Sequence, residues 1–145
     1  MPSAWLERHL HPVTVVAADT TVVEAARLMR DERVGCVIVG RNRRAIGILT
    51  DRDITTRVVA AGKNGETTPV KDVATFDPFV IHSSNSMQTA VDLMRKHGVR
   101  RLPVVDEDEI VVGIVTTDDL LVTLSRELAS IGDAIADSSD ACDIR

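Results

Sequence analysis

Hydrophobic positions in the first half of the chain form short apolar runs and a stripe at helical spacing. The runs are 13–16, 36–39 and 45–49. Because they are almost wholly apolar and mostly β-branched, they predict strands that are covered on both faces. Val22, Ala25 and Met29 recur on one helix face, and Thr21 with Glu24 has the capping-box pattern. These signals predict a helix between the first two strands.

The second half of the chain repeats this pattern. A shift of 65 residues, which becomes 66 after a one-residue slip, brings ten identical residues into ordered register. The identical pairs are Ala25 and Ala90, Leu28 and Leu93, Met29 and Met94, Arg30 and Arg95, Val34 and Val99, Val39 and Val104, Gly47 and Gly113, Ile48 and Ile114, Thr50 and Thr116, and Asp53 and Asp119. Each copy therefore predicts the order strand, helix, strand, strand, helix. The closing helices are predicted at 51–60 and 117–128.

The repeat predicts the organisation of the chain. A copy of about 60 residues is marginally stable alone, so we expect the two copies to pack together. The predicted fold is α/β, with α+β character: two βαββα repeats packed through their sheets with pseudo-twofold symmetry and two equivalent clefts between them. The predicted parts are a first repeat with its N-terminal segment (1–61), a linker with one helical turn (62–78), a second repeat (79–128) and a helical or frayed acidic tail (129–145).

Three sequence stretches carry a family resemblance. They are Gly-Ile-Leu-Thr-Asp-Arg-Asp at 47–53, Gly-Ile-Val-Thr-Thr-Asp-Asp at 113–119 and His-Gly-Val-Arg-Arg-Leu-Pro-Val-Val-Asp at 97–106. With the order of elements, they resemble a tandem pair of cystathionine-β-synthase (CBS) domains, the Bateman module. The resemblance covers about residues 5–128. It implies a stand-alone regulatory module, not an enzyme, that forms a homodimer, binds AMP, ADP, ATP, NAD or S-adenosylmethionine, and signals to a regulated partner protein.

The motifs Thr50-x-x-Asp53 and Thr116-x-x-Asp119 each follow a predicted strand and begin a predicted helix. The free amides and the dipole of a helix start favour an anion such as phosphate. A carboxylate one turn later can accept hydrogen bonds from two ribose hydroxyls. The resemblance implies these same roles for the threonine and the aspartate. The alternative is that both motifs only cap helices, in a ligand-free structural or dimerisation module.

The resemblance also implies that the first strand and the start of the second strand of each copy face the nucleobase. The residues expected there are Val15, Cys36, Val37, Ile81, Arg101 and Leu102. Arg52, and Arg100 or Arg101, are expected phosphate partners. Because the second copy has this arginine pair where the first has Gly35 and Cys36, we expect the second site to prefer multiply charged phosphates.

Composition and charge exclude other classes of function. Aromatic residues make up 2% of the chain, which removes the stacking platform of single-strand nucleic-acid binders. The net charge of −5 disfavours nucleic acid as a partner. No apolar run approaches the roughly 18–20 residues of a membrane span, and the N-terminal residues lack a signal-peptide pattern. We therefore expect a cytoplasmic protein with no nucleic-acid or membrane partner.

Catalytic and metal-binding patterns are weak. His9-x-His11 resembles half of a metal site, but no third ligand follows at a fitting spacing. We therefore expect no catalytic residues, no metal and no required cofactor.

The two predicted hairpin turns carry opposite charge. They read Arg-Asn-Arg-Arg at 41–44 and Asp-Glu-Asp-Glu at 106–109. Two chains arranged head to tail could bring these turns together across an interface. The alternative is that both turns are solvated tips.

Overall fold

The computed structural model describes residues 2–142, with side chains at 2–138. The helices are α1 (Ala4–His9), α2 (Val22–Glu32), α3 (Asp51–Ile54, continued by a π-helical segment, Thr55–Val59), α4 (Met87–His97) and α5 (Thr117–Cys142). The strands are β1 (Val15–Val16), β2 (Cys36–Arg41), β3 (Arg44–Thr50), β4 (Thr75–Phe76), β5 (Ile81–His82), β6 (Arg101–Val105) and β7 (Val111–Thr116). A 3-10 turn lies at Val70–Asp72. The predicted α/β fold, built from two repeats, is confirmed.

Each repeat forms its own sheet. The strand orders are β1-β2-β3-β4 and β5-β6-β7. In both sheets the first strand runs parallel to the second, which pairs antiparallel with the third. Val16 lies opposite Val39, and Ile81 lies opposite Val104. Both pairs keep the 65-residue shift, so the repeat in sequence is also a repeat in structure.

The segment before each repeat packs on the other repeat. β4 lies inside the predicted linker and pairs with β3, and the neighbouring Val70 is fully buried in the first core. The N-terminal segment, which the sequence assigned to the first repeat, packs on the second. Leu6 is fully buried in the second core, and His11 pairs with Ile114 of β7. The two repeats are therefore joined by an exchange of segments.

Two glycines make this exchange possible. A Cβ added at Gly47 would lie 3.1 Å from the carbonyl oxygen of Thr75, and one at Gly113 would lie 2.7 Å from the carbonyl oxygen of His11. A side chain at either position would push the crossing segment away from the strand. The glycine that begins each repeated Gly-Ile motif is thus required by a close backbone approach.

The oppositely charged turns contact each other within one chain. The backbone N–H of Val111 donates to the carbonyl oxygen of Arg43 at 3.0 Å. The guanidinium of Arg44 donates to the carbonyl oxygen of Asp108 at 3.2 Å. The turns therefore join the two repeats of one chain, and their contact across a dimer interface stays a prediction.

The last helix is longer than the predicted 117–128. α5 continues without a break to Cys142, so the first part of the predicted tail is helical. The tail that the sequence left as helical or frayed (129–145) is helical to Cys142, and residues 143–145 fall outside the described part of the chain. Among the described helices, none combines the length and apolar character needed to cross a membrane.

Candidate functional site

A cleft of about 580 Å³ lies between the two repeats. The first repeat lines it with residues 11–14 and 32–36. The second repeat lines it with Arg101, Ile114, Thr116 and Asp119. Its volume falls within the range of small-molecule pockets, which form preferentially at domain interfaces. The structure therefore contains an inter-repeat cleft of the predicted kind, with one Thr-x-x-Asp motif in its wall.

Thr116 and Asp119 form a capping box at the junction of β7 and α5. The Asp119 carboxylate accepts from the Thr116 backbone N–H at 3.0 Å and from the Thr116 hydroxyl at 2.6 Å. The Asp119 N–H in turn donates to the Thr116 hydroxyl at 3.3 Å. Local sequence explains the junction, because the apolar strand ends at Thr-Thr-Asp-Asp (116–119), which offers a cap residue and acidic first-turn residues. The capping function that the spacing also predicted is therefore present.

His11 brings a second group to the Asp119 carboxylate. Its Nε2 lies 2.8 Å from Asp119 Oδ1. Burial raises the pKa of Asp119, but the hydrogen bonds from Thr116 and His11 outweigh this effect and hold the pKa below its usual value. Asp119 is thus ionised at neutral pH. It places a charged hydrogen-bond acceptor in the wall of the cleft.

Arg101 reaches from β6 to the first repeat. A Cβ added at Gly35 would lie 2.8 Å from a guanidinium nitrogen of Arg101, so the guanidinium lies directly against the backbone there. The neighbouring Cys36 is buried. Burial raises the pKa of its thiol, which Arg101 lowers and Asp51 raises to a smaller extent. This part of the cleft therefore combines a neutral thiol with a permanent positive charge.

Arg33, which the sequence reasoning missed, also lines the cleft. It ends α2 in the left-handed conformation, with φ of 55°. The equivalent residue after α4 is Gly98, with φ of 63°. A residue with a side chain costs about 1–3 kcal/mol in this region, and such strain is often found at functional sites. The available signal was an arginine at a helix end where the other copy has glycine.

Thr50 and Asp53 form the same capping box in a different environment. The Thr50 N–H donates to the Asp53 carboxylate at 3.0 Å, and the Asp53 N–H donates to the Thr50 hydroxyl at 3.1 Å. The carboxylate also lies 3.4 Å from the Arg57 guanidinium. Neither Thr50 nor Asp53 lines the 580 Å³ cleft, and Arg52 lines a separate open depression on α3.

An aromatic pair distinguishes the second repeat. The 65-residue shift places Phe79 and His97 at the positions of Thr14 and Glu32, which line the cleft. The two rings stack with their centroids 3.7 Å apart and an interplanar angle of 16°. The two predicted inter-repeat sites are therefore unequal in the structure.

Four apolar residues expected at the nucleobase lie outside the cleft. Val37, Ile81 and Leu102 have no exposed surface and belong to the hydrophobic cores. Val15 is half-exposed and packs beside Gly40.

Strand alternation explains this placement, because successive side chains point to opposite faces of a sheet. Cys36 and Arg101 reach the cleft, and the residues that follow them point into the cores. Of the predicted site residues, the cleft brings together Cys36, Arg101, Thr116 and Asp119. Their binding role remains a prediction.

The two histidines near the N-terminus have separate partners. A ring nitrogen of His9 lies 2.8 Å from the Thr123 hydroxyl, whereas His11 contacts Asp119. Within residues 2–138, the structure shows no group of three or more His, Cys, Asp or Glu side chains placed to hold a metal ion.

Comparison with known proteins identifies the family. The sequence model of the CBS domain family matches the chain twice, at residues 8–60 and 70–126. The chain belongs to the CBS domain family. It is 39% identical over 128 residues to a CBS domain-containing protein of Bacillus subtilis, and the match covers 88% of this chain and 89% of that relative. The family predicted from the repeated motifs is therefore confirmed.

Two solved structures share the fold of this CBS pair. A CBS domain protein from Pyrobaculum aerophilum, complexed with AMP, superposes with a TM-score of 0.73 at 25% identity, over 83% of this chain and 93% of that chain. Hypoxic response protein I, solved with two coordinated zinc ions, superposes with a TM-score of 0.71 at 32% identity, over 82% and 97% of the two chains. At least one solved CBS domain protein with this fold therefore contains a bound nucleotide, AMP.

Proposed function

We propose that this CBS pair is a regulatory module that binds an adenosine-containing ligand in the cleft between its repeats. The carrying observation is that Thr116, Asp119 and Arg101 of one repeat meet Val13 and Thr14 of the other in a single cleft. The AMP complex of the Pyrobaculum aerophilum protein supports an adenosine ligand. AMP, ADP, ATP, NAD and S-adenosylmethionine all carry this group.

The proposed roles follow from the chemistry of each group. Ionised Asp119 accepts hydrogen bonds from the ribose hydroxyls, which replace its bond to His11. Phosphate lies at the start of α5, near the Thr116 hydroxyl and the Arg101 guanidinium. The adenine ring packs against the aliphatic side chains of the cleft, such as Val34. No aromatic residue is needed for this mode of recognition.

We assign the ligand to one cleft in each chain. In the second repeat, the stacked rings of Phe79 and His97 take the positions that Thr14 and Glu32 hold in the first repeat. Thr14 and Glu32 line the open cleft. Arg57 also engages the Asp53 carboxylate. The Thr50 motif therefore serves α3 as a cap.

The regulatory part of the proposal follows from the position of the cleft. Because the walls belong to different repeats, a bound ligand favours one relative arrangement of the two sheets. The effect on a partner protein is limited by the ligand's difference in affinity between the two arrangements. The two matched ranges, 8–60 and 70–126, are both CBS domains. We propose that the chain acts by binding, without catalysis.

Thermal unfolding in the presence of nucleotides tests this proposal. AMP or S-adenosylmethionine at roughly 100 times its dissociation constant should stabilise the wild type by about 2.7 kcal/mol. Uridine monophosphate, which lacks adenine, should not. The Asp119→Asn variant should lose the shift, and Asp133→Asn, the same change farther along α5, should retain it. If none of the five adenosine ligands shifts the wild type, the ligand-free structural module is the correct function.

A further inference from the structure

The two carboxylate oxygens of Asp119 have different partners. The backbone N–H and the hydroxyl of Thr116 both donate to Oδ2, at 3.0 and 2.6 Å. Oδ1 lies 2.8 Å from Nε2 of His11, and within residues 2–138 no other hydrogen-bond donor contacts it. Oδ2 therefore serves the helix cap, whereas Oδ1 is the oxygen that a ligand can reach by replacing His11.

The backbone of His11 is fixed, but its side chain is free to rotate. The N–H of His11 donates to the carbonyl oxygen of Ile114, and the N–H of Ile114 donates back to the carbonyl oxygen of His11, both at 3.0 Å. The imidazole is 55% exposed, and exposed side chains change rotamer rapidly. The contact with Asp119 can therefore break while the N-terminal segment stays paired with β7.

A second cavity offers space for the displaced imidazole. It has a volume of about 480 Å³ and lies between the N-terminal segment and α5. We call it the side cavity. His11 and Asp119 line both the side cavity and the cleft, so their contact lies where the two cavities adjoin. The ring can turn into the side cavity when a ligand occupies the cleft.

Charged and titratable groups surround His11 on every side. Histidine ordinarily changes charge between pH 8 and pH 5, a range in which arginine and most carboxylates keep theirs. Burial raises the pKa of the Cys36 thiol, so this group stays neutral. His9 is the other histidine here, and its ring contacts the Thr123 hydroxyl instead of Asp119. The groups that line the two cavities with His11 are Arg8 and His9 of α1, Asp119, Arg126 and Glu127 of α5, Arg101 of β6, and Glu32, Arg33 and Cys36 of the first repeat.

We propose that His11 is a built-in competitor for the ribose-binding oxygen of Asp119, and that its protonation closes the cleft to adenosine ligands. A neutral imidazole donates an ordinary hydrogen bond to the carboxylate, whereas an imidazolium forms a charge-assisted bond about twice as strong. A ligand must replace the stronger bond in acid, so its affinity falls as the pH falls. This inference rests on the proposed function, in which Asp119 binds the ribose.

Isothermal titration calorimetry of the full chain with AMP tests this inference. The measured quantity is the ratio of the Kd at about pH 5.5 to the Kd at about pH 8. This ratio should be about fivefold larger for the wild type than for His11→Gln, which keeps an uncharged donor at this position. The comparison removes the titration of the AMP phosphate itself, whose second pKa is about 6. Circular dichroism shows whether the variant is folded.

The matched control is His9→Gln, the same change at a ring that contacts α5 away from Asp119. It should keep the wild-type ratio, and a ratio that falls to the level of His11→Gln overturns the role of His11. Equal ratios for the wild type and His11→Gln, with AMP bound by both, also overturn this role and leave the proposed function intact. No binding of AMP by either protein at either pH overturns the proposed function and the competitor role together.

Discussion

The two Thr-x-x-Asp motifs have the same spacing and the same hydrogen bonds but different environments. Each caps a helix through the pattern of a capping box. At the motif of α5, His11 reaches the carboxylate of Asp119 from the other end of the chain, and an open cleft lies beside it. At the motif of α3, Arg57 of the same helix pairs with Asp53. The motif supplies a cap in both places, and its surroundings decide what else it can do.

This difference explains why capping and ligand binding are compatible. The backbone bond from Thr116 holds one carboxylate oxygen of Asp119, while His11 contacts the other oxygen. A ligand can replace the histidine without removing the cap. A ligand that bound Asp53 in the same way would have to break the ion pair between Asp53 and Arg57. In addition, the stacked rings of Phe79 and His97 lie at the positions in the second repeat that correspond to the cleft wall of the first.

The largest expected effect separates the two aspartates. Asp119→Asn should weaken AMP binding at least about tenfold, because hydrogen bonds to a charged group contribute about 1.5–3 kcal/mol. Asp53→Asn should leave the affinity unchanged. Isothermal titration calorimetry measures both, with one AMP bound to each chain. Equal losses in the two variants, or two AMP molecules on each chain, would contradict the assignment to one cleft.

Transplanting cleft residues should make the two repeats more alike. Phe79→Thr combined with His97→Glu introduces the residues found at Thr14 and Glu32. We expect a second AMP to bind to each chain, and a loss of about 1 kcal/mol of stability because the stacked pair is removed. Calorimetric stoichiometry and urea unfolding measure the two effects. The control is Phe76→Thr, which removes an equally exposed ring outside the stack; a second AMP bound by this control would discredit the interpretation.

The two left-handed helix ends allow a test of strain against binding. Arg33→Gly should raise the free energy of unfolding by about 1 kcal/mol, because glycine adopts positive φ without strain. It should also weaken AMP binding, since a positive charge leaves the cleft. The reverse change, Gly98→Arg, should destabilise the protein by a similar amount without affecting AMP. Urea unfolding and calorimetry of both variants decide the matter, and an unchanged affinity in Arg33→Gly removes this arginine from the site.

The smallest expected effect is a dependence of stability on pH. Hydrogen bonds hold the pKa of folded Asp119 below the value of about 3.9 expected when unfolded. Its contribution to stability is therefore complete well above pH 4 and is lost as the pH falls through the folded pKa. Between pH 6 and pH 3, urea midpoints of the wild type should fall more steeply than those of Asp119→Asn. Parallel curves would show that these hydrogen bonds do not stabilise the folded state.

Local signals in the sequence predicted most of the regular structure. Thr21 begins α2 as the predicted capping residue, and Ser86 caps α4 by accepting a hydrogen bond from the Thr89 backbone N–H. The short strand β4 was missed, because two residues paired through their backbone leave no apolar run to detect. The end of α5 stayed open in the sequence, which allowed residues 129–145 to be helical or frayed, and the structure continues the helix to Cys142.

The sequence by itself determined the repeat, the family and the capping motifs, because these depend on residues that lie a few positions apart or recur at a fixed shift. Only the tertiary structure decided which motif faces the cleft. The contact between His11 and Asp119 spans 108 residues and exists because the N-terminal segment crosses to the second repeat over Gly113. A long-range crossing of this kind is set by the packing of whole sheets and leaves little trace in any local pattern of residues.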